Sequence, residues 1–307
     1  MFATTRSTVR RRVLLAAGTA AALAMTLTAC GSSDDSAMPG MNHSTMPSVT
    51  PSTESSSPMG DMPGMNPAAD GNGLSDAKDG YRLTSPDSTL DSGKRTPYRF
   101  TVDGPDGTPV TDFALDQTKR MHFYAVRSDL TGFQHLHPAM ASDGIWTADL
   151  SSLTPGSWRM FTSFVPASGS AKGKDLVLSR TVTVPGSAPK IPLPAAAGSA
   201  KADGYTVTLE GKPMAGMAHP LTARITKDGK PVTDLQPYLE TYAHLTAFHE
   251  GDAAFAHLHP TTEVNGDQGG PELSFHAALP TAGNWRLFVQ FQTGGRLHTA
   301  ALTLHVA

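Results

Sequence analysis

The sequence predicts an all-β protein: two tandem immunoglobulin-like β-sandwich domains behind a disordered, methionine-rich tether. Three observations lead to this fold class, namely short apolar runs separated by turn residues, the lack of a long amphipathic helical pattern, and an internal repeat. The repeat overlays residues 109–138 on residues 231–260 with an offset of 122 and eleven identities in thirty positions. Because similarities continue outside this segment, we interpret the repeat as the duplication of a whole domain.

The first 29 residues have the parts of a bacterial secretory signal. Arginines at position 6 and at Arg10–Arg12 precede an apolar run, Val13–Leu27, that is too short for a good membrane-spanning helix. The block Leu27-Thr28-Ala29-Cys30 resembles the lipobox of bacterial lipoproteins, which implies that Cys30 is diacylated and becomes the first mature residue. The alternative is an ordinary cleaved signal with a stray cysteine.

Charge and cysteine content exclude several classes of function. The chain carries 24 basic and 27 acidic residues, and removal of the four signal arginines makes the mature protein more acidic, which argues against a nucleic-acid partner. Cys30 is the single cysteine. If it is lipidated, no thiol remains for a disulfide, a zinc-thiolate site or a blue-copper centre, so soft-metal chemistry would rest on His and Met.

Residues 30–78 are rich in Ser, Pro, Gly, Asp and Met and are predicted to be a disordered tether, because they hold too few aliphatic residues to bury a core. The sequence Met-Pro-Gly-Met-Asn occurs at 38–42 and again at 62–66. A Pro-Gly turn brings its two thioethers together, as Cu(I) or Ag(I) coordination requires. The candidate ligands are Met38, Met41, His43, Met46, Met59, Met62 and Met65. The alternative is compositional drift in a linker.

Residues 79–184 are predicted to form the first sandwich. Turn signals such as those at 91–93, 104–107 and 142–144 separate its apolar runs. The expected strands are 80–84, 97–103, 119–127, 133–137, 145–150, 157–165 and 176–184. Seven short strands in a domain of this size are typical of an immunoglobulin-like sandwich.

Residues 185–200 are rich in proline and small residues and predict a semi-rigid linker. The second sandwich, residues 201–307, repeats the plan of the first, since Gly283–Phe288 matches Gly156–Phe161 in its Gly, Trp, Arg and Phe positions. The shared Trp and Phe favour core packing over ligand binding.

The strongest candidate site is a sequence motif that occurs twice. His-Leu-His-Pro stands at 135–138 and at 257–260, and in each copy a further histidine precedes it by thirteen residues. On a strand, the side chains of residues i and i+2 project from the same face, with their Cα atoms about 7 Å apart, so two imidazoles can coordinate one ion. The candidate metal ligands are His122, His135 and His137 in the first domain and His244, His257 and His259 in the second.

Whether His122 and His244 join the pairs depends on hairpin register, because a slip of one residue would send them to the opposite face. The alternative is that these are surface or structural histidines. Further candidates are His298 on the last strand as a fourth nitrogen, and Met140, Met214, Met217 and His219 as additional ligands.

Three imidazoles with one open position fit Cu(II), Zn(II) or Ni(II), and added sulfur favours Cu(I). Copper is therefore the expected cofactor and zinc the second choice. Because metal-binding imidazoles must be neutral, we expect release of the metal below about pH 6.

The two domains, residues 79–307, resemble a group of secreted or lipid-anchored bacterial proteins, mainly actinobacterial, that carry this His-Leu-His-Pro domain and are named for metal binding. The Met/His-rich tether is similar to segments of extracytoplasmic copper-handling proteins. Small periplasmic copper-resistance carriers are also similar, but their site uses a free N-terminal histidine, which an acylated Cys30 cannot supply.

These resemblances imply a lipid-anchored extracytoplasmic protein for copper sequestration, trafficking or resistance. Its partners would be the metal ion, the membrane through the lipid anchor, and a copper-transport or copper-resistance protein. The alternative is a non-catalytic cell-surface module that binds a protein or glycan and has structural histidines. An oxidoreductase with a three-histidine copper is a third reading, but no acid/base partner in the sequence supports an enzyme.

Overall fold

The computed structural model of the chain describes residues 72–307, without the side chain of His259. All regular elements in this range are β-strands, and they build two tandem immunoglobulin-like sandwiches within one compact unit, which confirms the predicted fold class. The described residues contain no helix that could span a membrane.

The first domain consists of a five-stranded and a four-stranded sheet. Its strands are β1 (Ala77–Lys78), β2 (Tyr81–Thr84), β3 (Thr96–Asp103), β4 (His122–Arg127), β5 (Gln134–Leu136), β6 (Ala139–Met140), β7 (Trp146–Leu150), β8 (Gly156–Phe164) and β9 (Leu176–Val184). The sheet orders are β1-β2-β3-β7-β6 and β5-β4-β8-β9. Each strand expected from the sequence overlaps one of these, and the two-residue strands β1 and β6 are additional.

The second domain repeats this arrangement with a continuous path of strands. They are β10 (Ser199–Ala202), β11 (Tyr205–Glu210), β12 (Ala218–Lys227), β13 (Lys230–Pro231), β14 (Ala243–His249), β15 (Phe255–Pro260), β16 (Glu272–Ala278), β17 (Gly283–Thr293) and β18 (Arg296–Val306). The order is β10-β11-β12-β16-β15-β14-β17-β18, with β13 on β12. Strand β15 joins the two layers because it pairs with β14 at its start and with β16 at its end.

Each domain has its own apolar core. In β3, Tyr98, Phe100 and Val102 are buried while polar residues alternate with them, which is the period of two expected for a half-buried strand. Phe100 stacks on Phe123 of the opposite sheet with ring centroids 5.4 Å apart. Burial of each such aromatic side chain contributes on the order of 1.5–3 kcal/mol. In the second domain, Trp285 and Phe275 occupy the equivalent core.

Strands β4 and β14 are buried on both faces along almost their whole length. All six residues of β4 are buried, and so are the first six residues of β14. One face of each strand covers its own sandwich, and the other packs against the neighbouring domain. Across this boundary Phe133 stacks on Phe288 at 4.1 Å between centroids, with the rings 10° from parallel. The two domains therefore share a third apolar core.

This interdomain core contains residues from both domains and the linker. Its members are Tyr124, Val126, Leu130, Phe133, Phe161, Val177, Leu193, Phe248, Ala253, Phe255, Phe288 and Ala301. The linker is fixed beside it. Arg127 donates hydrogen bonds to the Asp129 carboxylate at 2.9 Å and to the Pro189 carbonyl at 3.1 Å, and Asp129 also accepts one from the Ile191 amide at 3.0 Å.

Residues 72–78 are part of the folded unit, although the sequence assigns them to the tether. The amide of Phe255 donates to the Asn72 carbonyl at 2.7 Å, and the Ser179 hydroxyl donates to the Gly73 carbonyl at 2.5 Å. The predicted tether is therefore too long at its C-terminal end. Backbone pairing holds this segment, and composition does not reveal such pairing.

Candidate metal centre

The register of the β4–β5 hairpin brings three histidines of the first domain to one face. Tyr124 is the Cα partner of His135 in this antiparallel pair. His122 lies two residues before Tyr124, and His137 lies two residues after His135, so all four side chains project to the same side of the sheet. Continuation of the same register sets His122 opposite His137. The sequence left open whether His122 lies on the same face as His135 and His137. The register set by the β4–β5 turn places it there.

The three imidazoles form a compact cluster at the domain boundary. Each of His122, His135 and His137 offers one nitrogen, and these three atoms lie within 4.8 Å of one another. The ring centroids are 5.4 Å apart for His122 and His135, 5.0 Å for His122 and His137, and 4.7 Å for His135 and His137. His122 is 1% exposed, and the other two side chains are half-buried.

The hydrogen bonds of two of these rings define where their protons lie. Nε2 of His122 is 3.1 Å from the carbonyl oxygen of Asp116, which can only accept, so Nε2 carries the proton. Nδ1 of His135 is 2.7 Å from the amide oxygen of Gln290 and carries the proton there. The two remaining nitrogens, Nδ1 of His122 and Nε2 of His135, face each other at 3.1 Å, each with a lone pair.

Two facing lone pairs at this distance need a proton or a cation between or beside them. Two imidazole nitrogens bound tetrahedrally to one ion at about 2.0–2.1 Å lie about 3.3 Å apart, close to the observed separation. Metal-binding histidines commonly donate the other ring N–H to a carbonyl, as His122 does to Asp116. Nε2 of His137 is also buried, with no hydrogen-bond partner among the described residues. These residues therefore fit a nitrogen-bound metal ion.

Burial keeps the cluster neutral. Desolvation lowers the pKa of His122 and lowers that of His135 well below its usual range. The pKa of His137 falls to about 3, first because of burial and then because positive charge on His122 and Lys119 opposes its protonation. Neutral imidazoles are the form that binds metal. Release of metal is thus expected at a lower pH than the value of about 6 that applies to ordinary histidines.

The second copy keeps part of this arrangement. Thr246 is the Cα partner of His257, so the β14–β15 hairpin has the same register as β4–β5. His244 is 1% exposed, and its Nε2 lies 2.9 Å from the carbonyl oxygen of Tyr238. Its Nδ1 is buried and has no hydrogen-bond partner within the described part of the chain. Burial is the main reason that the pKa of His244 is lowered to about 4.

His298 does not join either group, and its prediction as a fourth ligand is wrong. On β18 it is the Cα partner of Phe291, so it projects into the interior of the second sandwich. Both ring nitrogens have partners, with Nδ1 2.8 Å from the Asp203 carboxylate and Nε2 3.1 Å from the Thr293 hydroxyl. The next pair along these two strands is Gln290 and Thr299, and their side chains project from the opposite face of the sheet, towards the cluster.

The remaining candidates are scattered. Met140 is partly buried against the core of the first domain. Met214 and Met217 are 48% and 53% exposed in the segment before β12. His219, on β12, has Ala277 as its Cα partner. His219 does not belong to the histidine cluster found among the described residues. Outside the described residues lie Cys30 and the tether candidates Met38, Met41, His43, Met46, Met59, Met62 and Met65.

Three residues that orient the rings escaped the sequence analysis. Asp116 and Tyr238 orient the rings through backbone carbonyls, which any residue offers, although the offset of 122 does relate their positions. The Asp116 carboxylate also lies 4.0 Å from Nε2 of His122. Gln290 is buried on β17 opposite His244. A polar residue between Val289 and Phe291 was the one available sign of its role.

A family model described as "Domain of unknown function (DUF8832)" matches the chain twice, over residues 76–184 and 200–307. The two matches together cover more than half of the sequence. No protein with a curated description matches the chain.

Several solved structures match the chain at low similarity. The Escherichia coli adhesin FdeC is 16% identical over 75% of this chain and 65% of that chain, with a TM-score of 0.24. A tetra-tandem repeat from the extending region of a large adhesion protein is 14% identical over 74% of this chain and 48% of that chain, at 0.24. Salmonella alpha-2-macroglobulin is 13% identical over 74% of this chain and 14% of that chain, with a TM-score of 0.25. The chain thus spans less than two thirds of the length of each of these proteins.

Proposed function

The chain belongs to the family described as Domain of unknown function (DUF8832), and we propose that it is an extracytoplasmic metal-binding protein anchored to the membrane by lipid on Cys30. The metal is held by His122, His135 and His137. The observation that carries this proposal is the pair of unprotonated nitrogens on His122 and His135 that face each other at 3.1 Å. The role proposed is binding and not catalysis.

The donor set favours copper in the Cu(II) state, with zinc second. The clustered side chains offer imidazole nitrogen, which suits both ions, and the general order of affinity places Cu(II) above Zn(II). Thioethers of the tether would add Cu(I) ligands close to the lipid anchor. Sequestration, trafficking or resistance at the outer face of the membrane is the corresponding role, with a copper-transport or copper-resistance protein as the partner.

A second candidate is a non-catalytic cell-surface module that binds a protein or glycan and whose histidines are structural. Its support is that the imidazoles also pack as interface residues, since His135 stacks on Tyr124 with ring centroids 4.4 Å apart. In this case a shared proton takes the place of the ion between the rings of His122 and His135. Adhesin domains are among the solved structures that match the chain at low similarity, a level of match that carries no argument about function.

Metal titration of the full chain distinguishes the two candidates. A Cys30→Ser background keeps the protein unlipidated, and the His135→Gln/His137→Gln double variant is compared with His305→Gln, whose ring is exposed and bonded to Asn284. We expect the double variant to lose the tight Cu(II) and Zn(II) equivalent, with a decrease in affinity of at least about 100-fold, and the control to retain it. The tether is the same in all variants, so its contribution cancels.

An unchanged affinity in the double variant would reject the metal site and favour the interaction module. Incorporation of labelled palmitate into the wild-type chain, and its loss in Cys30→Ser, tests the lipid anchor. Oxidase and reductase assays on the copper-loaded protein are expected to show no turnover.

A further inference from the structure

The histidines of the two copies meet at one interface. The rings of His135 and His244 have centroids 6.0 Å apart, and those of His122 and His257 are 6.4 Å apart. Equivalent residues of the two copies differ by 122 in number, so His135 corresponds to His257 and His122 to His244. The two contacts are thus equivalent to each other. The two copies are therefore related by an approximate two-fold axis that passes close to the cluster. The sequence had predicted two separate sites, one in each domain.

His244 lies beside the cluster and has the ring tautomer of a metal-binding histidine. Its Nε2 donates to the carbonyl of Tyr238, as Nε2 of His122 donates to the carbonyl of Asp116, so both rings are left with a free Nδ1. On His122 this atom faces Nε2 of His135. On His244 it is buried without a hydrogen-bond partner among the described residues. A buried nitrogen in that state is costly to leave unsatisfied, and a bound ion would satisfy it.

We propose that the metal site is shared by the two domains. His244 of the second domain supplies a fourth nitrogen to the ion held by His122, His135 and His137, so that the chain binds one ion between its domains. This inference rests on the proposed function and specifies how the site is built.

A second contact across the boundary supports a shared site. The amide oxygen of Gln290, in the second domain, accepts the hydrogen bond from Nδ1 of His135, in the first, at 2.7 Å. The orientation of a first-domain ligand is thus set by the second domain. Such outer partners fix the ring and the tautomer of a metal-binding histidine.

The packing beside the cluster holds the two halves of the site in place. Phe161 of the first domain lies 5.4 Å from both Phe248 and Phe255 of the second, measured between ring centroids. The apolar core that they form packs the two domains against each other beside the histidines. An ion bound across the boundary would add a link between two domains that already touch.

The test measures the stoichiometry and affinity of Cu(II) for the full Cys30→Ser chain and its variants. The informative change is His244→Gln, and its matched control on the same strand is His249→Gln, because both ring nitrogens of His249 already have partners, the Asp252 carboxylate and the Ala282 carbonyl. We expect one tight equivalent in the parent, a loss of affinity of at least about 10–100-fold in His244→Gln, and no change in His249→Gln.

The outcomes separate this inference from the proposed function. If the His135→Gln/His137→Gln double variant loses binding while His244→Gln binds as the parent does, the triad acts alone and the shared site is wrong. Two tight equivalents, lost one at a time by changes in the two domains, would also overturn it. If no histidine variant alters binding, the proposed function itself fails.

A spectroscopic count does not depend on how well the variants fold. X-ray absorption or pulsed EPR of the copper-loaded parent protein is expected to show four imidazoles on one ion. A count of three would remove His244 from the site.

Discussion

The two copies of one strand, β4 and β14, show what a duplication retains and what it changes. His122 and His244 occupy the same position, and each donates from Nε2 to a carbonyl six residues earlier in the chain. The free nitrogen of His122 faces another imidazole at 3.1 Å, whereas that of His244 has no partner among the described residues. Backbone geometry set the orientation of both rings, and the side chains around them have diverged.

The residue opposite each histidine illustrates the divergence. Ser163 is the Cα partner of His122, and Gln290 is the Cα partner of His244. The longer amide of Gln290 reaches across the boundary to His135, a contact that a serine hydroxyl is too short to make. In the proposed shared site, the first domain would supply three of the four ligands, and the second would supply His244 together with the amide that orients His135.

The largest contrast is expected at the ends of these strands. Arg127 and His249 are equivalent, but the Arg127–Asp129 pair is buried, while Asp252 beside His249 is 46% exposed. Asp129→Ala should cost about 3–5 kcal/mol of unfolding free energy because the buried Arg127 guanidinium loses this carboxylate and keeps its hydrogen bonds to backbone carbonyls. Asp252→Ala should cost less than about 1 kcal/mol. Urea denaturation of both variants provides the measurement. Equal losses would show that the difference in burial does not determine how much each pair stabilises the fold.

The interdomain core gives the next largest effect. Phe248 and Val126 are equivalent, fully buried, and face the other domain. Phe248→Ala should lower the unfolding free energy by about 3–4 kcal/mol because it opens a large cavity, and Val126→Ala by about 2 kcal/mol. Chemical denaturation with tryptophan fluorescence measures both. A loss under about 1 kcal/mol for Phe248→Ala would mean that the domains do not pack in solution.

Acid should destabilise the metal-free protein through His244. Its pKa is about 4 in the folded chain against an ordinary value of 6.5, so between these pH values the unfolded state binds a proton that the folded state does not. Stability therefore falls as pH drops below 6.5, by up to about 1.4 kcal/mol per pH unit, or about 2 kcal/mol at pH 5. His137 acts in the same direction.

Unfolding in chelator at pH 7, 6 and 5 checks this effect. The dependence should become shallower in His244→Gln and remain in His305→Gln, whose ring is exposed. Parallel curves for His244→Gln and the parent would contradict the proposed burial cost.

The smallest effect concerns the orienting residues. Gln290→Ser, which gives the second domain the residue of the first, should weaken Cu(II) binding about tenfold because His135 loses its hydrogen-bond acceptor. Ser163→Ala should leave the affinity unchanged. Isothermal titration of both variants decides the point, and a similar loss in both would remove the special role of Gln290.

The sequence was sufficient to predict the fold, because period-two alternation in strands such as β3 and turn residues between strands are local signals. It also identified the clustered histidines, since the repeat marked them at equal spacing. The sequence did not show which face of the sheet each residue of β18 occupies, because this depends on the pairing of His298 with Phe291 of β17. The prediction for His298 was wrong for that reason.

The shared interface was missed although a sign of it was present. The segment His122–Arg127 does not alternate between apolar and polar residues, and such a strand is covered on both faces. Which surface covers the second face depends on long-range packing, which no local pattern specifies.

The pairing of Asn72 with Phe255 has a mechanical consequence. The N-terminal segment of the folded unit is bonded to the second domain before the first domain begins. If the chain is tethered to a membrane by its leader, tension applied there would be borne by the boundary between the domains, and both sandwiches would resist the pull together.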